Sequence, residues 1–80
     1  MTSIDIEYCV PCGHLPRAQE VQKEILEEYG QQVDDVSLVT GDGGVFTVTV
    51  DGELVFDKSE EGFDMETILE RVDERVAATA

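Results

Sequence analysis

The feature that most constrains the fold is the junction at residues 9–12, where Cys9-Val10-Pro11-Cys12 separates a strand pattern from a helix pattern. Upstream, Ile4, Ile6 and Tyr8 lie on one face of an alternating segment whose other face carries Asp5 and Glu7, the period-2 signature of a half-buried strand. Downstream, Leu15, Ala18, Val21, Ile25, Leu26 and Tyr29 recur at helical spacing, opposed by Glu20, Glu24, Glu27 and Glu28. Pro16 fits only the first turn of that helix, because its ring presets φ and it has no N–H to contribute. Gly30 is placed to end it.

The order of the remaining elements follows from turn chemistry. A second strand is expected over Val33–Val39, and a strand–helix–strand unit of this length implies parallel pairing through a right-handed crossover. Gly41-Asp42-Gly43-Gly44 superficially resembles a phosphate loop, but it joins two strands and opens no helix, so it reads as a turn. Val45–Val50 and Glu53–Phe56 flank Asp51-Gly52, a hairpin signal, since type I′ turns need positive φ at both central positions. Lys58–Gly62 reads as loop. Asp64 then caps a second helix, with Phe63 set to staple against Ile68 and with Met65, Ile68, Leu69, Val72 and Val76 as its buried stripe. The order β-α-β-β-β-α predicts one α+β, thioredoxin-like domain over residues 1–80: a four-stranded mixed sheet with two packed helices.

With 80 residues, the core must be compact and simply layered. No apolar run approaches the roughly 18 residues that span a bilayer, and Met1-Thr2-Ser3 runs straight into a strand, so a soluble cytoplasmic protein without membrane association is expected. Nineteen Asp and Glu against five Lys and Arg give a net charge of −14. The acids occur in every segment rather than in a tail, which predicts a uniformly acidic surface. Such a surface repels itself in dilute salt, and at about 1 M ionic strength a Debye length near 3 Å removes most of that penalty. This predicts a salt-adapted, halophilic cytoplasm; the competing reading is an acidic protein that docks on basic partners. Nucleic-acid binding is disfavoured under both, because it requires a basic patch.

Cys9 and Cys12 are the only cysteines. A C-x-x-C between a strand and a helix sets thiols near the positive end of the helix dipole, which favours the thiolate, the nucleophile of thiol–disulfide exchange. Catalytic roles for Cys9 and Cys12 as a redox dithiol follow. Two other readings stay open. Cys9, Cys12 and His14 provide three zinc ligands where a structural site needs four, and paired cysteines can be inert and buried. No cofactor or metal is expected on the redox reading. Pro11 is expected to stiffen the turn, Gly13 to permit it, and His14 to stand on the first helical turn, either exposed or tuning a thiolate. Tyr8, Phe46, Phe56 and Phe63 read as core or rim, with Tyr8 and Phe63 able to form a small apolar patch beside Cys9.

Tyr8-Cys9-x-x-Cys12-Gly13-His14-x-Pro16 resembles the active-site segment of the selenoprotein W, T and H (Rdx) family, in which a C-x-x-C or C-x-x-selenocysteine lies between the first strand and first helix. Gly44-x-Phe46-x-Val48-x-Val50-x-Gly52-x-Leu54-Val55, followed by Lys58 and Gly62-Phe63, resembles that family's hairpin. The similarity runs through nearly the whole chain, closest to a cysteine-containing selenoprotein W. It implies a thioredoxin-like fold and a cytosolic redox role discussed in terms of peroxide defence, with glutathione or a thiol/disulfide client protein as partner. The alternative is a non-catalytic interaction module with switchable or structural cysteines. Cys12 matches the selenocysteine position, whereas thioredoxins attack through the first cysteine, and no proline after Pro16 matches the thioredoxin cis-proline. Cys9, ending a strand, is expected to be the more exposed thiol and to attack bulky disulfides first, while Cys12 reacts with peroxide and Cys9 resolves it.

Overall fold

The computed structural model describes residues 2–79, with side chains through Val76; Met1 and Ala80, the ends of the expected domain, lie outside the described residues. Four strands, β1 (Ser3–Cys9), β2 (Asp35–Gly41), β3 (Phe46–Val50) and β4 (Glu53–Asp57), form one sheet in the order β2-β1-β3-β4. β1 pairs parallel with β2 and antiparallel with β3, and β3 pairs antiparallel with β4. Helices α1 (Leu15–Tyr29), α2 (Lys58–Glu61) and α3 (Met65–Thr79) complete the order. This is the mixed-sheet, thioredoxin-like arrangement expected from the order of elements.

The alternation in β1 decides which face is covered. Ile4, Ile6 and Tyr8 join Phe46, Val48, Val50 and Phe56 in one core with Ala18, Val21, Ile25 and Tyr29 of α1 and Ile68, Val72 and Val76 of α3. Asp5 and Glu7 pair across the opposite face with Thr49 and Thr47, as an antiparallel region with one solvated face allows. The α1 stripe is narrower than expected, since Leu15 and Leu26 are exposed. At 3.6 residues per turn both fall on the shoulder of the face defined by Val21 and Ile25. Tyr29 ties the helices together, its one hydroxyl proton shared between Leu69 O (3.2 Å) and Asp73 Oδ1 (3.3 Å).

Expected boundaries shift at two places in the chain. The second strand spans Asp35–Gly41 rather than Val33–Val39; its start moves because the chain tightens after α1 into a 3-10 turn, Gly30–Gln32. Val33 is still buried. Lys58–Glu61 is a helical turn rather than a loop: the Asp57 carboxylate accepts from Ser59 N (2.9 Å) and Ser59 Oγ (2.7 Å), and Gly62 closes it at φ 72°. The hairpin forms as expected, with Asp51 at φ 52° and Gly52 at φ 82°. Asp64 caps α3, its Oδ1 accepting from Glu66 N (3.0 Å) and Thr67 N (3.4 Å). Each edge strand has one backbone carbonyl engaged by a helix side chain: Gln22 Nε2 donates to Val36 O (2.7 Å) and Arg71 to Val55 O (3.1 Å). Such cover blunts an edge that would otherwise recruit another strand.

Candidate functional site

Parallel pairing brings the ends of β1 and β2 together at one end of the sheet, with Cys9 opposite Gly41. Cys9 N donates to Val45 O (2.8 Å) and Val10 N to Gly41 O (3.1 Å), so the chain stays fixed to both neighbours as it leaves the strand. It then turns back: Gly13 N donates to Val10 O (3.1 Å) and His14 N to Cys9 O (3.3 Å). Gly13 sits at φ 77°, a left-handed conformation that costs glycine nothing, which accounts for its place in the turn. Pro11 rides exposed at the tip.

This turn joins Cys9 and Cys12 in a disulfide with a Cα–Cα separation of 5.3 Å. The two sulfur-bearing residues differ sharply in access. Cys9 is 0% exposed, whereas Cys12 is exposed. That reverses the expected order of access. Its cause is the pair of backbone hydrogen bonds that hold the end of β1 between β2 and β3, while Cys12 lies beyond the last strand bond on the outer limb of the turn.

His14 occupies the N-cap position of α1 and makes no side-chain capping bond. Its ring is half-buried rather than fully exposed, edge-on to Phe46 at 6.1 Å. Phe46 in turn meets Phe63 edge-on at 5.6 Å, and the Arg17 guanidinium lies over the Phe63 ring at 4.3 Å. The expected apolar patch of Tyr8 and Phe63 is rearranged. Tyr8 points into the core, and the large apolar side chains exposed at the turn are Val10 and Leu15.

Gly41 has a role that the sequence hides. A Cβ there would stand 2.7 Å from Val45 Cγ1 and 2.8 Å from Glu7 Oε2, so a side chain has no room beside the disulfide turn. The only sequence signal was a glycine in a glycine-rich turn, which pointed to loop flexibility. Arg17 gave no signal at all, because its stacking partner Phe63 is 46 positions away in the chain, in the connection between α2 and α3. Of the expected Gly41–Gly44 turn, Gly43 and Gly44 do turn, at φ 69° and 83°, while Gly41 ends β2. Among the described residues there is no group of three or more His, Cys, Asp and Glu side chains arranged to hold a metal ion, no cis peptide bond, and no helix long and apolar enough to cross a membrane.

The site can therefore form and hold a disulfide at one end of the sheet, with one cysteine exposed and the other buried. Known proteins share this frame. A selenoprotein W-related protein from Vibrio cholerae superposes with a TM-score of 0.88, covering 94% of this chain and 96% of that one at 23% identity. A protein from Bordetella parapertussis superposes with a TM-score of 0.88 at 32% identity, covering 92% and 96% of the two chains. Migration and invasion enhancer 1 from Mus musculus is 37% identical over 60 residues, and its Bos taurus counterpart 35% over 60 residues. Each alignment covers 74% of this chain and 50% of the relative, so the chain spans about half the length of those proteins. The pattern that defines the Rdx family matches residues 3–74, from the first strand to the last helix and including both cysteines, and the chain belongs to that family.

Proposed function

We infer that this chain is a small cytoplasmic thiol–disulfide redox protein whose reacting groups are Cys9 and Cys12. The observation that carries the reading is the Cys9–Cys12 disulfide with one exposed and one buried partner. Thiol–disulfide exchange needs an attacking thiolate that reaches its target and a second that waits beside it. In the reduced form the Cys12 thiolate attacks one sulfur of a client disulfide. A mixed disulfide forms and one client thiolate leaves. The Cys9 thiolate then attacks Cys12 Sγ, releasing the second client thiolate and closing Cys9–Cys12. Two electrons pass to the client, and the two protons lost by the cysteines balance the two thiols it gains. With hydrogen peroxide, Cys12 attacks oxygen to give a sulfenic acid and water, and Cys9 displaces the hydroxyl as a second water, closing the same disulfide.

Access outweighs chain position in this assignment, so Cys12 attacks both peroxide and bulky disulfides. Pro11, Gly13 and His14 act by shaping the turn. A client protein or glutathione serves as partner, and no bound cofactor is required.

Alkylation of the thiols across a graded redox buffer, followed by mass spectrometry, tests the couple: one transition carrying both thiols is expected. Cys12→Ser is expected to lower the rates with peroxide and with a protein disulfide by at least 100-fold. Cys9→Ser should keep the first attack and accumulate the mixed disulfide. The opposite pattern would reverse the roles. A pair that never opens under reducing conditions would leave an interaction module with a structural bridge.

A further inference from the structure

The acidity of this chain has a gap, and the gap surrounds the disulfide. Residues 8–19 and 43–50 contain no Asp or Glu and are the two longest acid-free stretches in a chain with 19 such residues. They are far apart in sequence, and the fold joins them: Tyr8 pairs with Phe46, and Cys9 N donates to Val45 O (2.8 Å). Their near ends, residues 8–17 and 43–46, meet at the turn that carries Cys12, with Val10 50% and Leu15 41% exposed. Glu7, beside Gly41, and Asp42 mark the border.

Within this window stands one cation. Arg17 is in the first turn of α1, where the helix dipole favours an acid, and it is held over Phe63 at 4.3 Å. Arg71 is paired with Glu61 and Arg75 with Glu53. Among the described residues Arg17 is the arginine without a carboxylate partner, although the chain is rich in carboxylates.

We propose that the window is the docking surface for an acidic protein segment, one that carries acidic and apolar residues around its own disulfide or thiol. The charge distribution selects this occupant over a basic one. A basic partner would be drawn to the acidic faces of α1 and α3, away from the cysteines, and gains nothing from a gap there. An acidic partner is repelled by the carboxylate-rich faces of the helices and meets at the window an apolar contact without like charge, plus a guanidinium that no carboxylate holds. Arg17 receives the partner's carboxylate, and Val10 and Leu15 receive its apolar side chains. The inference rests on the redox reading for its purpose but not for the contact itself.

The test uses peptides that share one disulfide and differ in their flanks, Glu-rich or Lys-rich, together with a Glu-rich peptide in which Ser replaces both cysteines. In amide spectra of the oxidised protein at 0.15–0.5 M salt, the Ser-containing acidic peptide is expected to shift residues within 8–19 and 43–50. The Lys-rich peptide should instead shift the outer faces of the helices. With pre-reduced protein, the ratio of the acidic-peptide rate to the rate with neutral hydroxyethyl disulfide is expected to fall at least fivefold in Arg17→Glu. In Lys23→Glu, which makes the same change in net charge outside the window, the ratio should stay within twofold of the parent. An acidic peptide that leaves the window unshifted, or equal ratios in the two variants, would overturn the proposal. Window binding without reduction of any probe would sustain the docking surface and overturn the redox reading.

Discussion

Gly41 is the residue on which the shape of the site turns most directly, and its constraint is steric. Its Cβ position would lie 2.8 Å from Glu7 Oε2 and 2.7 Å from Val45 Cγ1. The first contact is cheap to relieve, since the end of a glutamate side chain can swing into solvent. The second is not, because a β-branched side chain has few χ1 choices. Gly41→Ala is therefore expected to cost about 1–3 kcal/mol, the range for overpacking a fitted contact, measured by denaturant unfolding of the oxidised protein. Val45→Ala removes the obstructing methyl, so the double variant should recover part of the loss; simple additivity of the two costs would exclude this contact as the cause. Gly41 O also accepts from Val10 N, so the same substitution displaces the disulfide turn and should slow reaction at Cys12. Cys12 and Gly13 could be read from spacing because their roles are local. Gly41 could not, because its constraint comes from the side chains of Glu7 on β1 and Val45 just before β3.

At the scale of elements, the contact between α1 and α3 has a pH signature. Burial, and after it the nearby Asp73 carboxylate, push the Tyr29 hydroxyl from 10.0 up to about 12. The folded state thus holds this proton more tightly than the unfolded chain does. The corresponding stability is fully present below pH 10 and is lost as pH rises toward 12. Tyr29→Phe is expected to cost roughly 1 kcal/mol at neutral pH for the lost hydrogen bond and to flatten the fall in stability across that alkaline window. A variant that keeps the parent's alkaline slope would assign the loss to another group. The elements themselves were largely legible in the sequence: the alternation of β1, the Asp51-Gly52 turn and the Asp64 cap are local patterns with local causes. What was missed also has physical reasons. Lys58–Glu61 is too short to show periodicity, and only its Asp57 cap with acids in the following turn marked it. Leu15 and Leu26 match helical spacing yet face solvent, since spacing alone does not give the width of the face that the sheet covers. The access of the two cysteines was inverted because it is set by hydrogen bonds to Gly41 and Val45, which position along one strand does not reveal.

For the whole molecule the governing quantity is charge. Nineteen carboxylates against five Lys and Arg leave −14 on 80 residues, spread over a body with extents of 36 × 20 × 20 Å. Adjacent acids such as Asp34-Asp35, Glu60-Glu61 and Asp73-Glu74 are exposed, so their repulsion passes largely through solvent and responds to salt. At about 0.15 M ionic strength the Debye length is about 8 Å, which still couples neighbours on one face; at about 1 M it is about 3 Å, and only direct contacts survive. The opposing effect is small. The ion pairs Arg71–Glu61 and Arg75–Glu53 are largely open to solvent, and screening such pairs removes little stability. Relief of repulsion outweighs loss of attraction, so the melting temperature is expected to rise continuously with potassium chloride from low to molar concentration. Replacing Glu20, Glu27 and Glu28, all exposed on α1, with Gln separates screening from other effects of salt. The triple variant should melt higher than the parent in dilute salt and show a shallower salt dependence. A parent melting temperature that stays flat across the series would mean that the acidity serves a basic partner rather than a saline cytoplasm, and would also count against an acidic client at the disulfide.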